Sequence, residues 1–171
     1  MPTAPHPANP LAGSSPEAAA RREQVLRDAR LRVTRPRLAV IAALARHPHS
    51  AAAEVLETVR ASLPQTSHQA VYDSLHALTE AGILQCIQPS GSLARYETRV
   101  GDNHHHLVCT HCGTIVDVDC ALGEAPCLRP DHDHGFQVET AEVVYRGLCA
   151  ACAAEPSSPS PNACPTTEGN P

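Results

Sequence analysis

The sequence predicts an α+β chain in two parts, a helical half followed by a strand-rich half. Three observations carry this. Four segments between residues 15 and 82 open on a capping residue and then space apolar side chains three and four apart, as a helix does. From "HLVC" onward the apolar residues are β-branched and partly alternate, as in strands. The charge also changes sign: residues 1–100 carry 11 Arg against 8 acids, and residues 101–171 carry 2 Arg against 10. Such asymmetry points to two domains with different partners, and 171 residues leave room for two small ones.

Ser15 and Pro16 open the first helix by N-cap and first-turn preference, and it runs to about Ala29. Thr34 caps the second, with Pro36 in its first turn and Leu38, Ile41, Ala42 and Ala45 as one apolar stripe. Ser50 is the expected cap of the third, with Val55, Leu56, Val59 and Leu63 inward and Pro64 after it. Ser67 caps the fourth, with Val71, Leu75 and Leu78 inward, and Gly82 supplies the stop. "ILQCI" and "ARYETR", separated by "QPSGSL", form a β-hairpin.

Short helices followed by a hairpin make the winged helix-turn-helix pattern, in which the fourth helix enters the major groove of DNA. Its exposed start, "SHQAVYDS", directs Ser67, His68, Gln69 and Tyr72 toward phosphates or base edges. Residues 21–46 hold eight Arg against Glu23 and Asp28, and Arg35 and Arg37 are the expected phosphate contacts there. The chain has no Lys at all. Helix count alone leaves an ordinary helical bundle as the alternative.

In the second half "HLVC", "TIVDVDC" and "FQVETAEVVYRGLC" read as strands, with a short helix expected in "CALGEAPCLRPDHDHG". Residues 1–14 and 155–171, rich in Pro, Ser and Ala, read as disordered tails, leaving domains at 15–100 and 101–154. Residues 1–15 lack the positive start and apolar run of a signal peptide, and no window is apolar enough to span a bilayer. A soluble cytoplasmic protein is the expectation, and there clustered cysteines are more often metal ligands than disulfides. Aromatics are 2% of the chain, so its core is aliphatic and thin, and a small core often needs a staple.

Cys109-x-x-Cys112 and Cys149-x-x-Cys152, separated by 36 residues, supply that staple. Two knuckles at the ends of adjacent strands make a tetrahedral four-sulfur zinc site, which leaves no open position and is structural. A pair of labile dithiols is the alternative. Metal binding of this kind contributes on the order of 10–16 kcal/mol to the folding of zinc-finger peptides. Cys86 reads as a buried small residue in the hairpin, Cys120 and Cys127 as packing, and Cys164 as an inert thiol in the tail.

His104 and His106 stand two apart before a strand and face one side, with His105 facing the other. Imidazoles with a carboxylate from Glu97, Asp102, Asp117 or Asp119 suit Fe2+, Mn2+, Zn2+ or Ni2+ in exchangeable binding. A solvated polar loop is the alternative.

The segments "RVTRPRLAVIAAL", "AVYDSLHALTEAGIL", "ARYETRVGDNHHHLVCTHCGTIVDVDC" and "GLCAAC", in that order, resemble the ferric uptake regulator family of bacterial metal-dependent repressors over about residues 18–153. "GDNHHHLVCTHCG" and "VDCALGEAPCL" resemble the branch linked to catalase-peroxidase genes. The resemblance implies a homodimer on a palindromic operator, with a winged-helix domain followed by a small α/β dimerisation domain. It implies structural Zn2+ on Cys109, Cys112, Cys149 and Cys152. It also implies a regulatory Fe2+ or Mn2+, with Zn2+ as another occupant, on His49, Glu97, His104, His106 and Asp117.

Two departures matter. Asp73 stands where the family often has Arg after the recognition-helix tyrosine, which shifts phosphate contact onto Gln69, Tyr72 and the arginines of 21–46. Ala141 replaces a histidine of the third site found in some members, leaving His105, Glu124, His132 and His134 as loose ligands. Asp117 matches the peroxide-sensing members and Glu97 the iron sensors, so the expected role is a peroxide- or iron-responsive repressor of oxidative-defence genes. Peroxide would act by oxidising a ligating histidine or, as the rival route, a thiolate. No Ser-His-Asp order or phosphate loop is present, so catalytic residues are not expected, and metal storage is disfavoured by the winged-helix half.

Overall fold

The structure, a computed structural model, describes residues 9–88, 93–101, 104–119, 134–135, 137 and 143–154. The chain divides into two compact units, Met1–Asp102 and Asn103–Pro171. No helix among the described residues is long and apolar enough to cross a membrane.

The first unit runs α1 (Pro16–Asp28), α2 (Arg35–Arg46), β1 (Ser50–Ala51), α3 (Ala52–Ser62), α4 (His68–Glu80), β2 (Gln85–Ile87) and β3 (Arg95–Glu97). Three of the expected caps form: Ser15 accepts from Ala18 N–H, Thr34 from Arg37 and Ser67 from Ala70. The third helix differs. Ser50 is drawn into β1 by pairing with Tyr96, and its hydroxyl donates to the His47 carbonyl instead. Ala51 becomes the N-cap, and the Glu54 carboxylate accepts the Ala51 N–H at 2.6 Å. The wing is therefore three-stranded and antiparallel, in the order β1-β3-β2, rather than a lone hairpin. Cys86 also departs from expectation: it is exposed and lies opposite Tyr96.

The core is aliphatic. Leu26, Val40, Ile41, Leu44, Val55, Val59, Val71, Leu75, Leu78 and Leu84 are buried together. The buried face of α2 is broader than the expected stripe, because α1, α3 and α4 all pack on it. Val40, Ala43 and Leu44 join Ile41 and Ala45 inside, while Leu38 and Ala42 are half-buried. Residues 9–13, expected within a tail, are tied to this unit. Arg22, buried in α1, donates to the Leu11 and Gly13 carbonyls, and Asn9 donates to Thr98 at 2.6 Å. With few aromatics to compensate, Leu75→Ala should cost roughly 2–5 kcal/mol of stability. Urea unfolding would show it, and a loss under about 1 kcal/mol would mean the core collapses around the gap.

The second unit contains β4 (His104–Cys109), β5 (Ile115–Asp119), β6 (Val144–Gly147) and the short α5 (Ala150–Ala154), which sequence reading missed. The sheet order is β5-β4-β6, with β5 antiparallel and β6 parallel to β4. Register places Leu107 between Val116 and Tyr145, and all three are exposed on one face, with Leu148 exposed just beyond β6. The opposite face carries His104, His106 and Asp117. The expected helix within 120–135 and the strand residues before 143 lie mostly outside the described residues, as do Cys120, Cys127 and Cys164.

Candidate metal centres

Cys109 ends β4, and Gly113, at φ +73°, lets the chain turn back into β5 beneath Cys112. Cys149 follows β6 and Cys152 sits in α5, so the parallel β4–β6 pairing carries the second knuckle to the first. The four sulfurs lie within 4.8 Å of one another. A tetrahedron of sulfurs about 2.3 Å from zinc has edges of about 3.8 Å, and Cys112 Sγ lies 3.8 Å from Cys149 Sγ.

The protonation of the group favours a cation as well. Backbone N–H groups of Cys112 and Cys149 lower the Cys109 thiol to about 5, with Cys149 N donating to Cys109 Sγ at 3.3 Å. The hydroxyl of Thr114, 3.1 Å from Cys112 Sγ, lowers the Cys112 thiol. The Cys149 side chain, hydrogen-bonded to Cys152, pushes the Cys152 thiol up to about 12. Four sulfurs this close cannot all ionise without positive charge among them, and a divalent ion supplies it. The donor set fits Zn2+.

The regulatory candidates form two imidazole–carboxylate pairs, one in each unit. In the first, His49 Nε2 lies 3.0 Å from Glu97 Oε2, with the side chains 9% and 0% exposed. A carboxylate so buried needs a partner of this kind. In the second, His106 Nε2 lies 3.6 Å from Asp117 Oδ1, both largely buried and facing each other across the β4–β5 register. The His104 ring stands edge-on to His106 at 4.9 Å between centroids. The side-by-side placement of His104 and His106 follows from strand alternation. His105, on the other face, meets Tyr145 edge-on at 6.0 Å, and its Nδ1 is buried with no hydrogen-bond partner among the described residues. Glu124 and His132 lie outside the described residues, and His134 is exposed.

The expected DNA contacts cluster on two helix starts. Ser67 spends its hydroxyl on capping α4. His68 stacks on the exposed ring of Tyr72 at 4.3 Å, and Gln69 donates to Asp73 at 2.6 Å. Asp73 thus orients the Gln69 amide. Arg35 is exposed at the start of α2, and Arg37 donates to the Arg32 carbonyl at 2.9 Å. Sequence reading missed Arg95 and Glu54, which brace His49. Glu54 at the third position of α3 is the one local signal that could have found them.

The sequence model of the ferric uptake regulator family matches residues 28–146. The transcriptional regulator FurA of Mycobacterium tuberculosis is 59% identical over 133 residues, covering 78% of this chain and 90% of that protein. Among solved structures, the Helicobacter pylori ferric uptake regulator, described as having three functional metal binding sites, superposes with a TM-score of 0.61 at 21% identity. That match covers 84% of this chain and 97% of the other. The Campylobacter jejuni peroxide stress regulator superposes with a TM-score of 0.56 at 26% identity, covering 76% and 95%.

Proposed function

The chain belongs to the ferric uptake regulator family, and from that premise we propose how metal controls its hold on DNA. It is a metal-responsive transcriptional regulator and not an enzyme. It acts as a homodimeric repressor on operator DNA, with Zn2+ as the structural metal and Fe2+ or Mn2+ as the regulatory one. The exposed apolar face of Leu107, Val116, Tyr145 and Leu148 supports self-association through the second unit.

The observation that carries the regulatory reading is the pair of half-sites, His49 with Glu97 and His106 with Asp117. Each offers two donors. Zn2+ takes about four and octahedral Mn2+ about six, so neither pair suffices alone. Joined, with His104 beside them, they offer five. An ion shared by both units fixes their relative pose, and two recognition helices of a dimer then meet half-sites one DNA turn apart. Without it the competent pose is a fraction of the ensemble. The Ser67–Tyr72 face of α4, with Arg35 and Arg37, reads the operator.

Control of peroxide-defence genes, such as a catalase-peroxidase gene, is the finer reading. Asp117 supports it, being the carboxylate that resembles peroxide-sensing members. Fe2+ bound there supplies the redox chemistry, and the chain's part is to hold the rings of His104 and His106 within its reach. Glu97 favours the second reading, an iron- or zinc-uptake repressor without peroxide sensing.

Operator binding titrated with Fe2+, Mn2+ and Zn2+ separates these readings when peroxide follows. Metal should tighten binding by roughly 5- to 150-fold, with a steep salt dependence. Peroxide should release only the Fe2+ form, with oxygen gained at His104 or His106 by mass spectrometry. Gain at Cys alone would favour the thiolate route. Release with neither residue type modified would contradict local oxidation, and an operator affinity indifferent to metal would contradict the repressor mechanism.

A further inference from the structure

His49 stands in a backbone conformation that non-glycine residues seldom adopt. Its φ is +59°, in the left-handed region, which persists where neighbours over-determine it. The residue lies between Pro48 and β1, where the chain reverses after α2.

A guanidinium fastens that turn. Arg95 Nη1 donates to the His49 carbonyl at 3.2 Å and to Glu54 Oε2 at 3.2 Å. The same Glu54 oxygen accepts the Ala51 N–H at 2.6 Å. Arg95 also pairs with Ala51 in the β1–β3 register. One cation and one carboxylate thus join three pieces of chain: the His49 turn, the first turn of α3, and β3, which carries Glu97 two residues after Arg95. Charge-assisted donation to a carbonyl is stronger than a neutral hydrogen bond, and the planar fork can serve two acceptors at once. Always cationic, Arg95 cannot itself be a metal ligand.

Resting on the shared-ion reading above, we propose that Arg95, oriented by Glu54, is a positioning residue that sets where the His49 imidazole stands for the regulatory ion. It acts on the ligand's backbone, whereas the more familiar outer partners of metal-bound histidines act on the ring. The clamp makes His49 and Glu97 a preformed half-site, so less ordering is left to the metal when it binds.

Mn2+ affinity, read by electron paramagnetic resonance on the full-length zinc-loaded protein, tests this. The variants are Arg95→Met, Arg95→Lys, Glu54→Gln and the ligand variant Glu97→Gln. Arg95→Met should weaken Mn2+ binding by about 10- to 100-fold, the range for outer partners of metal ligands. Arg95→Lys, which keeps a charged donor, should recover most of that loss. Wild-type affinity in Arg95→Met, while Glu97→Gln has lost its ion, overturns the positioning role and leaves the shared site standing. A loss in Arg95→Lys equal to that in Arg95→Met also overturns it. Unchanged binding in Glu97→Gln overturns the site itself. If Arg95→Met does not fold, Glu54→Gln decides, because its amide still accepts from Ala51. Several-fold weaker binding upholds the clamp, and unchanged affinity overturns it.

Discussion

Replacing Cys112 by Ser will leave the second unit unfolded and the chain monomeric. The reason lies in how little else holds that unit among the described residues. Three strands of four to six residues and one short helix are described, and of their apolar side chains only Val108 and Cys109 are buried. Leu107, Val116, Tyr145 and Leu148 face outward. The apolar burial among the described residues is small against the conformational entropy of ordering them, so metal binding is expected to supply a large part of the folding energy. The four thiols gather residues 40 positions apart in sequence, and the metal links the end of β4 to the turn after β6. With serine at 112 the sulfur 3.8 Å from Cys149 Sγ is gone, and the unfolded, metal-free state takes over, as in zinc-dependent small domains. Zinc content, circular dichroism and sedimentation of the purified variant would report it. A Cys112→Ser protein that keeps one zinc per chain and its dimer would contradict the structural role.

Glu97→Gln will abolish metal-stimulated operator binding without unfolding the first unit. The amide preserves the shape of a fully buried side chain and can still hydrogen-bond His49, but it removes the negative charge that a divalent ion needs. The whole metal-dependent gain, roughly 5- to 150-fold in operator affinity, should disappear. Residual metal-independent binding should remain, because Ser67, Tyr72 and the arginines of α2 are untouched. His106→Ala should give the same loss from the other unit. Fluorescence anisotropy with labelled operator, with and without Mn2+, separates the two components. Glu97→Gln retaining its full response to Mn2+ would remove Glu97 from the proposed ligand set.

Much of the fold could be read locally because it is encoded locally. Ser15, Thr34 and Ser67 announce their helices and make the expected cap bonds. The His104/His106 alignment follows from strand alternation alone, and the two Cys-x-x-Cys knuckles from zinc geometry. What escaped was set by long-range pairing. Ser50 looks like a cap, but Tyr96, far along the chain, claims its backbone for a strand. The face of α2 could not be placed from one stripe when three helices surround it. Cys86 seemed an interior residue because the strand's inward partner positions, Gln85 and Ile87, could not be told apart from it without the register. His49 and Glu97 are 48 positions apart with no shared pattern, and only the family resemblance joined them before the structure did. Arg95 and Glu54 had no such pointer, and the capping-box position of Glu54 in α3 was their one local signal, because bracing a backbone carbonyl leaves no motif at Arg95.

The proposed metal control of DNA binding requires one ion taking donors from both units. Manganese stoichiometry on zinc-loaded protein tests this most directly, by counting tightly bound Mn2+ in the wild type, in Glu97→Gln and in Asp117→Asn. A shared ion requires one Mn2+ per wild-type chain and none in either variant. Two Mn2+ per wild-type chain, with each variant keeping one, would mean that the half-sites bind separately and that metal does not tie the units together.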